Sequence, residues 1–245
     1  MQVGLAILGY SLCSSTLLLA NKLAMVHLPS ASVVSFIQII STTITVLLLK
    51  FGGVEIDQFN WVAFKAYGIY TISFVAAIYT NMQALRRCNV ETVIVFRACS
   101  PIAVGIIEYL FMERALPTLR STASLLFVAT GAVVYCLHDS EFAMKGLEAY
   151  YWAISYFFFI TFEMTYGKKI TSTVKMDSVW GPVLYCNFLA SLPMFLLGYA
   201  NGEYDNITEK LMGISNAGIL ILFFSCIVGT LIGYDFSSSK HHCLC

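Results

Sequence analysis

Arg97 and Glu108 stand inside a stretch that otherwise has the composition of a membrane span, TVIVFRACSPIAVGIIEYLFM between Glu91 and Glu113. The run is long enough to cross a hydrocarbon core of roughly 30 Å. A charged side chain at that depth costs about 3 kcal/mol on insertion scales, so such residues are rare in spanning helices and turn towards a partner or a wet cavity. Eleven residues separate the two, close to three helical turns, so they share one face and that face looks inward. The Arg97 guanidinium offers a permanently charged fork suited to phosphate. The competing reading is a structural pair with an acid such as Glu163.

Other side chains extend this chemistry. Lys22 shares a face with Ser11 and Ser15 at the end of the first apolar run. It is either a second phosphate contact or a lysine snorkelling to the headgroups. Asn187 and Ser191 lie four apart, with Tyr185 beside them. A tyrosine ring can stack on a base and an amide can both donate to and accept from its edge; the alternative for the asparagine is bonding between helices. Tyr79, Asn81 and Gln83, and then Tyr156 and Glu163, are further candidate cavity linings. The eight cysteines include no C-x-x-C pair and read as small apolar fillers. His241, His242, Cys243 and Cys245 could ligate zinc, but nothing around them fixes a tetrahedral site, and neither a metal nor a cofactor is expected. H-E-x-x-H, G-x-S-x-G, P-loop and glycine-rich dinucleotide patterns are all missing, so no enzyme is expected.

The elements that would hold these groups are apolar. Of 245 residues, 58% are hydrophobic and 11% charged, with zero net charge and a mean hydropathy of +0.77. That composition is a membrane protein's, and the charge balance argues against nucleic acid as a partner. The lipid bilayer is the expected surrounding. About eight runs have spanning length: 3–20, 31–49, 66–85, 91–114, 121–137, 149–166, 182–200 and 216–234. The expected fold is therefore all-α, a multi-pass transmembrane helical bundle. The opening run lacks a basic leader and is read as the first helix rather than a signal peptide.

With the N-terminus in the cytosol, eight Lys and Arg residues outside the spans fall on the cytosolic side and five on the other, a modest positive-inside bias. The sequon Asn206-Ile207-Thr208 falls on the far side, close to the membrane. Segments one and six echo each other, ending in Asn21-Lys22 and Gly167-Lys168, the kind of trace left by inverted repeats. The reading gives a first repeat of five helices over 1–137, a partial second repeat of three over 138–234, and a disordered tail over 235–245 whose Cys-x-Cys ending looks like a prenylated one.

Three stretches resemble the nucleotide-sugar transporters of the drug/metabolite transporter superfamily, in particular the GDP-mannose-type (GDP-sugar) branch. They are the first helix with its Asn21-Lys22 ending, ETVIVFRACSP followed by FMERALPTLRSTASLLFVATGAVVY, and Leu184-Tyr185-Cys186-Asn187 ahead of Pro193. The last is similar to that family's Phe-Tyr-Asn-Asn motif, which contacts the nucleotide base. Only Tyr185 and Asn187 carry over from it, which puts strict guanine selectivity in doubt. The family's second motif, Gly-Ala-Leu-Asn-Lys in a ninth helix, has no counterpart, which implies a truncated or alternatively spliced form with an incomplete inverted-repeat fold. The resemblance implies a Golgi carrier exchanging a GDP-sugar for a nucleoside monophosphate, with a second copy of the chain as a candidate partner. Its substrate-binding residues would be Arg97, Lys22, Tyr185, Asn187, Ser191, Asn81 and Glu163. The rivals are a sugar-phosphate antiporter of the triose-phosphate branch and a non-transporting isoform acting as a regulatory subunit.

Overall fold

The computed structural model describes residues 2–112, 118–139, 147–174 and 176–243. They form α1 (Gln2–His27), α2 (Ala31–Phe51), α3 (Trp61–Arg87), α4 (Val90–Met112), α5 (Leu119–His138), α6 (Leu147–Thr173), α7 (Trp180–Ala200), the short α8 (Ile207–Met212) and α9 (Asn216–Cys243). Arg114, Lys145, Lys175 and Cys245 lie outside the described residues, as do the side chains of His241, His242 and Cys243.

Helix boundaries follow local chemistry. Gly53, at φ +92°, turns the chain after α2, a conformation open to glycine for want of a Cβ. The Asn60 side chain accepts from the Val62 amide at the start of α3, and Thr118 accepts from the Ser121 amide at the start of α5. Each satisfies an amide that a helix leaves unpaired. Asn206 takes φ 55° before α8, where asparagine is tolerated.

Among the described residues six helices, α2, α3, α4, α5, α7 and α9, are long and apolar enough to cross a membrane. At 26 and 27 residues, α1 and α6 match them in length; α6 carries Glu163 and a run of tyrosines that lower its apolarity. The protein is an all-α, multi-pass membrane protein. Leu126, Phe127, Val133 and Leu137 of α5 point outward, and α5 buries none of its residues, which in a bilayer puts that side against lipid.

Neighbour relations are paired. Helix α1 packs on α9, α2 on α7 and α9, α3 on α6 and α7, and α4 on α6 and α5. Exchanging α1 with α6, α2 with α7 and α3 with α9 turns α1·α9 into α6·α3 and α2·α9 into α7·α3, and keeps α2·α7. Two acids obey the same exchange. Glu203, just after α7, accepts from the Ser32 amide at the start of α2, 2.7 Å away. Asp57, just after α2, accepts from the Asp177 and Ser178 amides ahead of α7, at 2.9 and 3.1 Å. Gly181 makes room for that carboxylate, since a Cβ there would stand 2.3 Å from Asp57 Oδ2.

One end of the bundle is sealed. Leu18, Met25, Leu28, Val34, Met82, Leu85, Val93 and Tyr156 form a buried cluster where α1 and α3 end and α2, α4 and α6 begin. Across it the Lys22 ammonium donates to the Leu85 and Cys88 carbonyls, at 2.6 and 2.8 Å. Burial, with Glu203 beside it, pushes the Tyr204 phenol up, so the ring stays neutral under this seal.

The tail expected to be disordered over 235–245 is helical as far as the structure describes it, to Cys243. Helix α9 runs unbroken through Cys243. Its nucleation cost is already met by the apolar turns before Tyr234, and each further serine, lysine or histidine adds a hydrogen bond to an existing helix.

Candidate functional site

Opposite the seal, a cavity of about 910 Å³ opens between the helices, large enough for a sizeable organic ligand. Its mouth lies where α3 and α7 begin and α6 and α9 end, lined by Tyr67, Ser172, Asp177, Pro182, Val183 and Gly233. Towards the seal its walls reach Asn21, Ser35, Asn81, Met82, Arg97 and Tyr156.

Ring and hydrogen-bond contacts fix two levels. At the outer level the Tyr70 hydroxyl on α3 donates to the Glu163 carboxylate on α6. Tyr67 stacks on Tyr185 of α7, with ring centroids 5.7 Å apart, so Asn187 belongs to this level too. At the inner level Tyr79 of α3 meets Trp152 of α6 at 5.9 Å, and Phe96 of α4 meets Tyr150 and Phe157 of α6 at 5.7 and 6.5 Å. Asn81 and Arg97 follow these rings by one or two residues and line the cavity there.

Arg97, Asn81, Glu163 and Asn187 thus stand in one cavity wall. Lys22, Tyr185 and Ser191 do not. Lys22 spends two of its three donors on the C-terminal carbonyls of α3, which as a helix end carries excess negative charge. Tyr185 is buried, and its hydroxyl accepts from the Asn60 amide at 2.8 Å. The Ser191 hydroxyl bonds back to the Phe188 carbonyl. Of the other linings expected, Tyr156, Ser11 and Ser15 face the cavity, joined by Ser14, whereas Tyr79 and Gln83 bond each other beside it. Glu108 turns to Lys168 instead, at 2.6 Å, about 16 Å of helix away from Arg97.

The amides differ in what they have left to offer. Asn187 donates its amide to the Val183 carbonyl at 2.8 Å, leaving its oxygen as acceptor. Gln38 donates to Asn21 Oδ1 at 2.7 Å and to the Ser225 hydroxyl at 2.9 Å, again leaving the oxygen. Thr42 and Thr230 continue this α2–α9 seam at 3.1 Å. Ser35, Gln38 and Thr42, which all line the cavity, went unread as candidates. Their spacing of three and four in an apolar helix was the available signal. Tyr67, Tyr70 and Phe74 precede Asn81 on the same stripe of α3 and were missed in the same way.

Pro101 also lines the cavity, four residues after Arg97. Lacking an N–H, it cannot donate to the Arg97 carbonyl.

No family model matches the chain. Among curated proteins, GDP-fucose transporter 1 of Arabidopsis thaliana is 36% identical over 236 residues, covering 93% of this chain and 67% of the relative. The chain belongs to the nucleotide-sugar transporter family. GDP-mannose transporter GONST3 of the same plant is 29% identical, over 92% of this chain and 61% of its own length. UDP-galactose/UDP-glucose transporter 7 is 24% identical, over 94% of this chain and 70% of its own length. The chain spans about two thirds of these transporters, and its alignment with them takes in every helix that borders the cavity. The relatives named here are transporters, not enzymes, and the cavity wall holds Arg97, the acids Glu163 and Asp177, and neutral amides and hydroxyls.

Proposed function

We propose that this transporter carries a GDP-sugar across the Golgi membrane in exchange for a nucleoside monophosphate, with its N-terminus in the cytosol and the cavity open to that side. The observation that carries the reading is Arg97, a guanidinium placed in the wall of a large cavity sealed at one end. A diphosphate brings about two negative charges, and a fork of fixed N–H donors meets them with paired, charge-assisted bonds. One cavity that takes either nucleotide in turn, by alternating access, couples import of one to export of the other.

The outer level suits the base. Tyr67 and Tyr70 offer aromatic faces, and Glu163 and the Asn187 oxygen offer acceptors. Guanine presents N–H donors at N1 and N2, whereas uracil presents one at N3, so acceptors favour guanine. The names of the relatives, two for GDP-sugars and one for UDP-sugars, point the same way by similarity. The paired neighbours and the Asp57 and Glu203 caps support two inverted halves, 1–137 and 138–234, as the moving parts.

The test is exchange in liposomes loaded with GMP. External GDP-fucose or GDP-mannose is expected to exchange faster than UDP-galactose or a triose phosphate. Arg97→Met is expected to slow that exchange about 100-fold, the scale of a lost charged contact of about 3 kcal/mol. Unchanged exchange by the methionine variant would remove the cationic cavity as the substrate site.

A further inference from the structure

Three pairs of polar residues repeat at one interval. Lys22 and Lys168, Ser32 and Ser178, and Asp57 and Glu203 all stand one hundred and forty-six positions apart. The serines and acids work as mirror images: Glu203 takes the Ser32 amide at the sealed face, and Asp57 takes the Ser178 amide at the mouth. The lysines are placed as mirror images too. Each lies five residues before the end of its helix, and each directly follows a residue of the cavity wall, Asn21 or Gly167. Their partners differ. Lys22 reaches across the seal to the C-terminal carbonyls of α3, whereas Lys168 rests on Glu108 of the neighbouring α4.

The exchange that relates the two halves turns α1 packed on α3 into α6 packed on α9. The first contact exists. At the second the cavity intervenes, with Gly167 and Ile170 on one bank and Gly229, Ile232 and Gly233 on the other. The mirror image of the Lys22 cap is therefore an ammonium on α6 meeting the C-terminal turn of α9. That helix, with 28 residues against 27 in α3, is long enough to carry its last turn to the mouth face as α3 carries its own to the seal. The last turn of a helix offers carbonyls without an intrahelical partner and excess negative charge. We propose that Lys168 locks the mouth: when the cavity turns to the other side of the membrane, its ammonium leaves Glu108 and caps the C-terminal turn of α9, as Lys22 now caps α3. Glu108 holds the lysine in place while the mouth is open. This rests on the exchange reading above and names the group that closes the open end.

The experiment measures GDP-mannose exchange in GMP-loaded liposomes for the wild type, Glu108→Gln and the double variant Glu108→Gln/Lys168→Met, each over a range of GDP-mannose concentrations. Glu108→Gln removes the partner of the ammonium in the open state, so the second substitution takes away only what Lys168 does when the mouth is shut. Glu108→Gln is expected to reach a maximal rate no lower than the wild type. The double variant is expected to fall about tenfold below Glu108→Gln, the scale of one lost charge-assisted hydrogen bond. Its half-saturating GDP-mannose concentration and its thermal shift with GMP are expected to stay unchanged. Equal maximal rates for the two variants would overturn the lock. So would a raised half-saturating concentration at an unchanged maximal rate, because Lys168 would then only draw anions to the mouth. A fall in Glu108→Gln as deep as in the double variant would make the ion pair, and not the lock, the role of Lys168. A wild type that neither exchanges GDP-mannose nor shifts with GMP would instead remove the exchange reading, and the lock with it.

Discussion

Asp57 and Glu203 do the same job at opposite faces of the bundle, and the difference between them shows which face is shut. Each acid follows one of the two central helices and accepts backbone amides at the start of the other. At the sealed face Glu203 is 9% exposed and Ser32 fully buried. At the mouth Asp57 is half-buried and Asp177 exposed. A carboxylate–amide bond in a dry setting is stronger, and its loss leaves an orphan that water cannot reach. In water the same bond competes with solvent and is worth little. The cations follow the pattern: Lys22 is tied down in the seal, whereas Lys168, paired with Glu108 at the other end, is 41% exposed.

The sharpest way to break this asymmetry is Lys22→Met, which leaves the Leu85 and Cys88 carbonyls without a donor at a buried helix end. A loss of about 2–3 kcal/mol is expected, read as a lower melting temperature and as reaction of Cys88, 1% exposed in the intact seal, with a membrane-permeant thiol reagent. Cys186, on the cavity wall, should react in wild type and variant alike. Equal protection of Cys88 in the two proteins would mean that Lys22 does not hold the seal. Glu203→Ala comes next, at about 1–3 kcal/mol for one orphaned amide, again with Cys88 uncovered. Lys168→Met removes the ammonium from Glu108, which is only 12% exposed, and is expected to cost about 1–3 kcal/mol, checked by the same melting curves. Asp57→Asn, the change matching Glu203→Ala at the mouth, is expected to cost under about 1 kcal/mol and to leave Cys88 protected. Should the two acids prove equal, the mouth is as dry as the seal and the cavity is not open there.

Much of this architecture was legible because membrane helices announce themselves by composition, and a lone arginine in such a helix has few places to go. Arg97, Asn81, Glu163 and Asn187 were legible as cavity lining on type and position. What failed was rotation. Tyr185 and Asn187 are two residues apart, about 200° around a helix, so only one of them can face the cavity, and the residues that do are Pro182, Val183, Cys186 and Asn187. Ser191 continues the right stripe but lies one turn too deep, where Ala190 and Met194 of α7 are packed against Ile39 and Val75. Lys22 was legible as a cation at a helix end but not as a cap, because its partners are carbonyls sixty-three and sixty-six residues away. The polar seam of Gln38, Ser225, Thr42 and Thr230 joins two helices far apart in sequence, and no local pattern pairs them.

The proline four residues beyond Arg97 has a mechanical meaning. A spanning helix is stiff because every turn is bolted to the next, and here one bolt is missing at the residue that carries the charge. The helix therefore bends most readily at the residue that faces the cavity, while its far half is tied to α6 through Glu108 and Lys168.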